Sequence, residues 1–569
     1  MLISTQLPAL HSELNDPKFS FDFSTPGVKG RGRFELVRVL DDVSQHLHAT
    51  CEADVAYQIS ERPDTPLSVS LIKSWLEECV QTHEPCTWKP QPALPTRVID
   101  VGASNTSDEP RLLVTLGKHG RYLALSYCWG RSQTLTTKRN NFQEHQREIP
   151  MRSLPRTLRD AVCFTRFLGI QYLWIDALCI IQDDADDWRR EAAKMCSVYE
   201  PAVLTLSVLN GTSSDAGFLD IRSREAVVTQ LDGCEVALRT PLPKAESAIP
   251  SGSLGTRAWT LQERVLAPAV LHIDTEQLYW ECCSGLASES YPAIRRARTG
   301  KNDVQFGASI HDMKVQIGQQ KDSPSMRLWY ALLENYCGRL LTNSSDRLPA
   351  IKGLATRFQS IVSAGYNYGL WFDDLANGIL WRVIKTDVVR PKPKVKSRDT
   401  GVPSWSWASF DSRITFDIPG PKASRTALAT FEPQRPSKRG PATERWPRIA
   451  ITGLCQKGVL FKGRGRYTLV TKDRRSRFTD IDCILDCELE DVELFHCAPK
   501  PYYCLLIAKE EGSGGATYRY LLLSSAPHSS STTSSHRVFQ REGVGTQYLS
   551  HDGEEPTGAG FSAWDIVLV

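Results

Sequence analysis

The sequence predicts an α/β core built on a parallel sheet, followed by a helical region and a β-rich C-terminal region. Three observations predict it. Between residues 121 and 210, apolar runs of strand length alternate with amphipathic helical stretches, the pattern of parallel strands joined by right-handed crossovers. Residues 323–385 carry apolar positions mostly at helical spacing. From residue 404 the pattern changes to short alternating strands.

At 569 residues the chain exceeds one ordinary core, so several domains are expected. The divisions are an unassigned N-terminal region (1–65), a lead-in with a helix, Pro-rich linker and strands (66–120), the α/β core (121–283), a helical region (284–385), a basic Pro-rich linker (386–403) and the β-rich region (404–569). A Ser-rich segment at 524–536 is expected to be a mobile loop. A net charge of +3 is close to neutral for this length and argues against bulk electrostatic binding to nucleic acid. No apolar run approaches the roughly 18–20 residues that span a bilayer. The N-terminus lacks the basic and apolar regions of a secretory signal. A cytoplasmic location is therefore expected, with the sixteen cysteines mostly reduced and packed as small hydrophobes.

The elements follow in order. Ile72, Trp75, Leu76 and Cys79 share one side of a helix over 71–80. VIDVG (98–102) and RLLVTL (111–116) are expected strands. YLALSYCWG (122–130) suits a strand buried on both faces. In LPRTLRDAVCFTRFLGI (154–170), Leu158, Ala161, Val162, Thr165 and Leu168 lie at helical spacing, and Gly169 suits the C-terminal cap. A strand follows at 172–176, with an apolar continuation to Ile181. A helix over 187–199, a strand at 202–210, a helix at 257–266 and strands at 270–274 and 277–283 complete the core. SWSWASF (404–410) opens the expected C-terminal strands.

The segment LWIDALCIIQDDADDWRREAAKM (173–195) carries the strongest functional signal. On a helix, Glu191 shares a face with Trp188 and Met195, while Arg189, Arg190, Lys194 and Ser197 fall on a solvated face. A carboxylate at the edge of an apolar stripe is costly to bury unless something pairs with it or uses it. An ion pair to a buried arginine such as Arg257 or Arg264 is the structural alternative. In open parallel sheets, ligands bind beyond the carboxyl ends of the strands. Those ends are Ser126 to Gly130, which include Tyr127 and Trp129, then Asp176 and Ala177, and Ser207 to Asn210, and the helix that carries Glu191 begins near the second of them. Gly130 would let backbone pass close to a ligand, and Trp129 offers a flat stacking face. Asp176 equally suits a helix cap, the tryptophans equally suit core anchors, and Glu263, four residues after Trp259, invites the same argument as Glu191. Cys79, His83 and Cys86 have zinc-type donors, but a fourth ligand is missing locally, so packing is expected and no metal site. Cys483, Cys487, His496, Cys497 and Cys504 fall on strand-like alternation and are expected in a β core. Nucleotide P-loops, dinucleotide fingerprints, zinc-protease motifs and serine elbows are missing from convincing contexts.

These stretches, in this order, resemble the fungal heterokaryon-incompatibility (HET) domain family. YLALSYCWG, LPRTLRDAV, YLWIDALCIIQDDADDW, the helix with Glu191, Met195 and Tyr199, and RAWTLQERVLAP carry the resemblance. It is strong over residues 121–283, with weaker echoes upstream in WLEECVQTHEPC and downstream through PSWSWAS. The resemblance implies a role in fungal non-self recognition and programmed cell death, a TIR/flavodoxin-like parallel sheet, and homotypic assembly of HET domains, with the incompatibility partner unidentified. It also implies distant kinship with TIR domains, some of which hydrolyse NAD through a Glu on a helix after a buried strand. DWRREA (187–192) resembles the segment around that Glu in the TIR enzyme of animal axon degeneration.

On that resemblance Glu191 is the expected catalytic residue, with Tyr127, Trp129, Gly130, Asp176 and Trp188 lining the substrate site. NAD would be a substrate, and no cofactor is expected. The nicotinamide leaving group is already cationic, so one carboxylate that stabilises the sugar cation is chemically sufficient. A non-catalytic homotypic signalling module and an accessory enzyme of fungal secondary metabolism are the alternatives.

Overall fold

The computed structural model describes residues 19–25, 28–38, 56–84, 86, 91–102, 108–131, 134–222, 226–231, 234–295, 310–319, 326–362, 365–384, 402–419, 425–434, 448–462, 467–472, 478–486, 501–512, 514–526, 537–550 and 561–569. The chain divides into two compact units, residues 1–304 with 308–322, and residues 305–307 with 323–569. Most of the basic segment 386–403, the Ser-rich segment from 527, and Cys487, His496 and Cys497 lie outside the described residues.

An eight-stranded sheet organises the first unit. Its strands are β1 (Arg97–Asp100), β2 (Arg111–Val114), β3 (Tyr122–Ser126), β4 (Tyr172–Trp174), β5 (Leu204–Val208), β6 (Ala269–Ile273), β7 (Leu278–Cys282) and β8 (Leu286–Ser288), in the order β8-β7-β6-β5-β3-β4-β1-β2. The four central strands are parallel, as the alternation of strands and helices predicts. The flanking strands are antiparallel. Only residues 274–277 separate β6 from β7, too few for a parallel crossover, which needs roughly a dozen or more. β3, β5 and β6 are buried at every position, because helices or loops cover both faces.

Helix α1 (Pro66–Thr82) starts at Thr65, whose hydroxyl accepts from Ser68 N, and buries Leu71, Ile72, Trp75 and Cys79. Helix α2 (Arg156–Phe167) crosses from β3 to β4. The expected continuation of β4 to Ile181 does not form. After Ile175 the chain turns into a short helix, Asp176–Cys179. The expected single helix over 187–199 is two helices, α3 (Ala185–Ala193) and α4 (Met195–Tyr199), divided at Lys194 with φ −98° and ψ 0°. Asp184 starts α3 earlier than expected by accepting from Asp186 N and Asp187 N. The break at Lys194 leaves Tyr199 free to reach under the sheet, where its hydroxyl donates to Leu125 O. Helix α5 (Trp259–Leu266) leads into β6, and α6 (Ile310–Gln319) follows the sheet.

Residues 1–65 carry no predicted elements, yet Phe19–Thr25 and Val28–Arg38 pair with each other, and Val28–Arg38 pairs with Cys234–Arg239. The pairing partner is about two hundred residues away in sequence, beyond the reach of any local pattern.

In the second unit, helices Met326–Cys337 and Pro349–Val362 enclose an aromatic cluster in which Trp329 meets Phe358, Tyr366 and Trp371 at ring distances of 5.2–5.5 Å. SWSWASF is not a strand. Trp407–Ser409 form a 3-10 turn capped by the Ser406 hydroxyl, and Trp405 and Trp407 are core anchors. Beyond it, six strands close on themselves in the order Arg448–Lys462, Tyr467–Lys472, Phe478–Leu485, Arg537–Ser550, Gly515–Ser525 and Tyr502–Gly512, which returns to Arg448–Lys462. Closure pairs each of the six strands with two neighbours, and side chains including Leu469, Ile481, Cys483, Cys504, Tyr520 and Leu522 pack together as its core. No described helix is long and apolar enough to cross a membrane.

Candidate functional site

The chain leaves β3 toward β4 on one side and leaves β5 toward β6 on the other. That reversal makes the carboxyl ends of β3 and β5 the topological switch point, the place where open parallel sheets bind ligands. Tyr127, Cys128 and Trp129 continue from β3, Asp176 continues from β4, and Arg257 precedes α5. Trp129 Nε1 donates to Asp176 Oδ2 at 2.8 Å, and Ala177 N donates to Asp176 Oδ1 at 2.7 Å. Arg257 donates to the Tyr127 carbonyl at 2.7 Å. Burial pushes the Asp176 carboxyl above its usual range, against the opposing pull of the Trp129 indole and the Arg257 guanidinium. The Tyr127 hydroxyl lies beside Asp176 and Thr134 without a well-directed hydrogen bond to either, and the Thr134 hydroxyl is also buried without a partner. At the end of β3 the Ser126 hydroxyl donates to Glu263. Trp129, Trp188 and Trp259 are half-buried, and Trp188 meets Trp259 edge to face at 6.4 Å.

The structure thus joins Tyr127, Trp129 and Asp176 in one cluster and adds Arg257, which the sequence suggested only as an ion-pair partner of Glu191. Gly130 adopts φ +80°, but its close approach is to protein: a Cβ there would stand 2.5 Å from Ser213 Cβ. Gly130→Ala is expected to cost about 1–3 kcal/mol through the left-handed backbone and this collision. Thermal unfolding checks it, and an unchanged midpoint contradicts it.

Glu191 is 4% exposed. Its Oε1 accepts from Thr96 Oγ1 at 3.0 Å and Lys194 Nζ at 3.3 Å, so its partners are neither Arg257 nor Arg264. The apolar stripe expected through Trp188, Glu191 and Met195 does not form, because α3 ends at Ala193 and its buried residues are Asp187 and Glu191. Asp187 receives Arg97 from the start of β1 at 2.5 Å and Ile181 N at 2.9 Å. Arg97 also donates to Cys179 O, which ties β1 to the segment after β4. Because β1 runs antiparallel to β4, its first residues lie at the carboxyl end of the parallel strands. Arg97 and Thr96 therefore sit at the same end of the sheet as Asp176.

A second buried network escaped the sequence. Glu281 on β7 accepts two hydrogen bonds from Arg264 at 2.7 and 2.9 Å and meets His272 Nε2 at 2.9 Å, while His272 Nδ1 meets Ser207 Oγ at 3.0 Å. Hydroxyl, imidazole and carboxylate stand in the order of a hydrolytic triad. Ser207, His272 and Glu281 are 5%, 2% and 0% exposed, and the network ties β5, β6, β7 and α5 together. Ser207, His272 and Glu281 lie on three strands, so their meeting has no local signal.

At the opposite end of the sheet, where Ala269 opens β6 and pairs with Cys282, the thiols of Cys79, Cys86 and Cys282 meet the ring of His83. No curated protein and no solved structure matches the chain. A family model described as heterokaryon incompatibility protein (HET) matches residues 122–263. The match runs from the first residue of β3 into α5 and contains Tyr127, Trp129, Asp176, Glu191, Arg257 and Glu263. With three of the four parallel strands, β3, β4 and β5, inside those bounds, the chain carries a heterokaryon incompatibility domain at residues 122–263.

Proposed function

We propose that the HET domain is the signalling element of a fungal non-self recognition protein, that it triggers programmed cell death, and that it acts by hydrolysing the N-glycosidic bond of NAD or a related dinucleotide. The observation that supports this reading is the Tyr127, Trp129, Asp176 and Arg257 cluster at the switch point of the parallel sheet. Half-buried Trp129 offers a stacking face, Arg257 a phosphate-directed cation, and Asp176 with the Tyr127 and Thr134 hydroxyls a set of polar groups for a ribose. In the reaction the bond between ribose C1′ and the nicotinamide nitrogen breaks, and its electron pair neutralises the ring. Water adds to C1′ and releases a proton to solvent. Glu191, one turn after Trp188 on α3, is the carboxylate assigned to the developing sugar cation. It is covered by Thr96 and the exposed side chain of Lys194, so turnover requires Lys194 to swing away, and clustering of HET domains supplies the trigger.

NAD consumption by the full chain, at concentrations that cluster it, tests the assignment. Glu191→Gln is expected to lower turnover by about 100-fold or more with circular dichroism unchanged. Intact NAD with wild type, or undiminished turnover by the variant, overturns it. A second reading, a non-catalytic homotypic module, is favoured by the two donors that already satisfy Glu191. On that reading toxicity on expression survives Glu191→Gln.

A further inference from the structure

Local sequence supplies only three zinc-type donors near residue 80. The fold supplies a fourth. We propose that Cys79, His83, Cys86 and Cys282 bind one zinc ion in a structural site. All four donor atoms lie within 4.8 Å of one another, and the three cysteines are buried. His83 Nδ1 stands 3.3 Å from Cys79 Sγ and 3.6 Å from Cys282 Sγ. A tetrahedral ion with bonds of about 2.3 Å to sulfur and about 2.0 Å to nitrogen sets sulfur and nitrogen ligands about 3.5 Å apart.

The local chain is shaped for this. Cys79 and His83 are four residues apart across the end of α1, where His83 N donates to Cys79 O at 3.3 Å. The next turn returns Cys86, whose N donates to His83 O at 3.0 Å. Trp75 packs on Trp280 at 5.7 Å and fixes α1 against β7, which delivers Cys282. Ser284 N points at Cys282 Sγ at 3.4 Å, a donor suited to a thiolate. His83 Nε2, the ring nitrogen left over from ligation, faces the Glu78 carboxylate at 3.8 Å, beyond direct hydrogen-bond distance. Cys283, next in sequence, directs its thiol to Pro268 O at 3.9 Å and also neighbours the Cys86 thiol, but it lies outside the group of four donors.

Three thiolates and one neutral imidazole are a closed, soft donor set with no open position, which suits structural zinc. The three thiol protons pass to solvent as the ion binds, and no redox step is involved. All four ligands lie outside residues 122–263. The ion therefore clasps the segment before the HET domain to the strand after it, at the end of the sheet opposite the crevice, and this inference does not depend on NAD hydrolysis.

The test uses the full chain, grown with added zinc and purified without a metal resin. Elemental analysis is expected to give about one zinc per chain, lost in Cys282→Ser and Cys79→Ser and kept in His83→Cys, which still offers four donors. Should the serine variants fail to fold, cobalt(II) exchanged into wild type decides by itself: thiolate-to-cobalt charge transfer and strong tetrahedral visible bands are expected. Wild type without zinc and without those bands overturns the site. So do zinc retained in Cys282→Ser, iron with visible cluster absorption, or a disulfide between these thiols in the freshly purified chain.

Discussion

Asp187→Ala is expected to destabilise the first unit by about 3–5 kcal/mol, because it leaves the Arg97 guanidinium buried without its counter-charge. The Arg97 and Asp187 side chains are 7% and 4% exposed. Asp187 also accepts from Ile181 N, so its loss orphans a backbone donor and loosens the turn between the Asp176–Cys179 helix and α3. Its neighbour Asp186 is the contrast. That carboxylate pairs with Arg189 at 2.6 Å, but both side chains are more than 60% exposed, and Asp186→Ala is expected to change stability by less than about 1 kcal/mol. Urea unfolding followed by tryptophan fluorescence measures both, and equal losses would reject the argument.

The pair also sets a pH dependence. Burial works to raise the Asp187 carboxyl, but Arg97, Ile181 N and Arg190 outweigh it and hold it below the usual value. The folded state therefore gives up this proton more readily than the unfolded chain does. Its stabilisation is complete above the unfolded value of about 3.9 and is lost as pH falls through the folded one. That acid-dependent loss should be smaller in Asp187→Ala than in wild type.

In the second unit, Arg541→Met is expected to cost about 3–5 kcal/mol for the same reason. Arg541 is 0% exposed and makes two hydrogen bonds to Asp486, at 2.9 and 3.0 Å. It also donates to the carbonyls of Ile379 and Trp381 and lies 3.5 Å over the Trp381 ring. One side chain thus joins the β barrel to the chain that precedes it. Methionine fills much of the volume but leaves Asp486 charged and buried and both carbonyls short of a donor. Adding Asp486→Leu removes the stranded charge, so the double variant should unfold at higher urea than Arg541→Met alone. A double variant no better than the single would show that the lost carbonyl bonds or packing, rather than the stranded charge, set the cost.

The α/β core was legible because its signals are local. A strand buried on both faces is a continuous apolar run, as in YLALS, and an amphipathic helix shows its period within a dozen residues. Trp129 and Asp176 were legible as neighbours because residues just past parallel strands must face one crevice. Errors arose where the local pattern was ambiguous. Apolar residues 177–181 fit a strand or a buried helix equally, and SWSWASF alternates like a strand although its tryptophans anchor a turn.

By itself the sequence determined the domain family of the core, its parallel strands and the placing of Trp129 and Asp176 at one end of the sheet, since the motifs and strand ends that carry them are local. Only the tertiary structure decided which charges pair. Glu191 found Thr96 and Lys194, Asp187 found Arg97, and Arg264 found Glu281, because strand order brings together residues whose separation leaves no periodic trace. The same reason governs the cysteines: Cys79, His83 and Cys86 announce three donors on one turn, and Cys282 joins them only because β7 lies against α1.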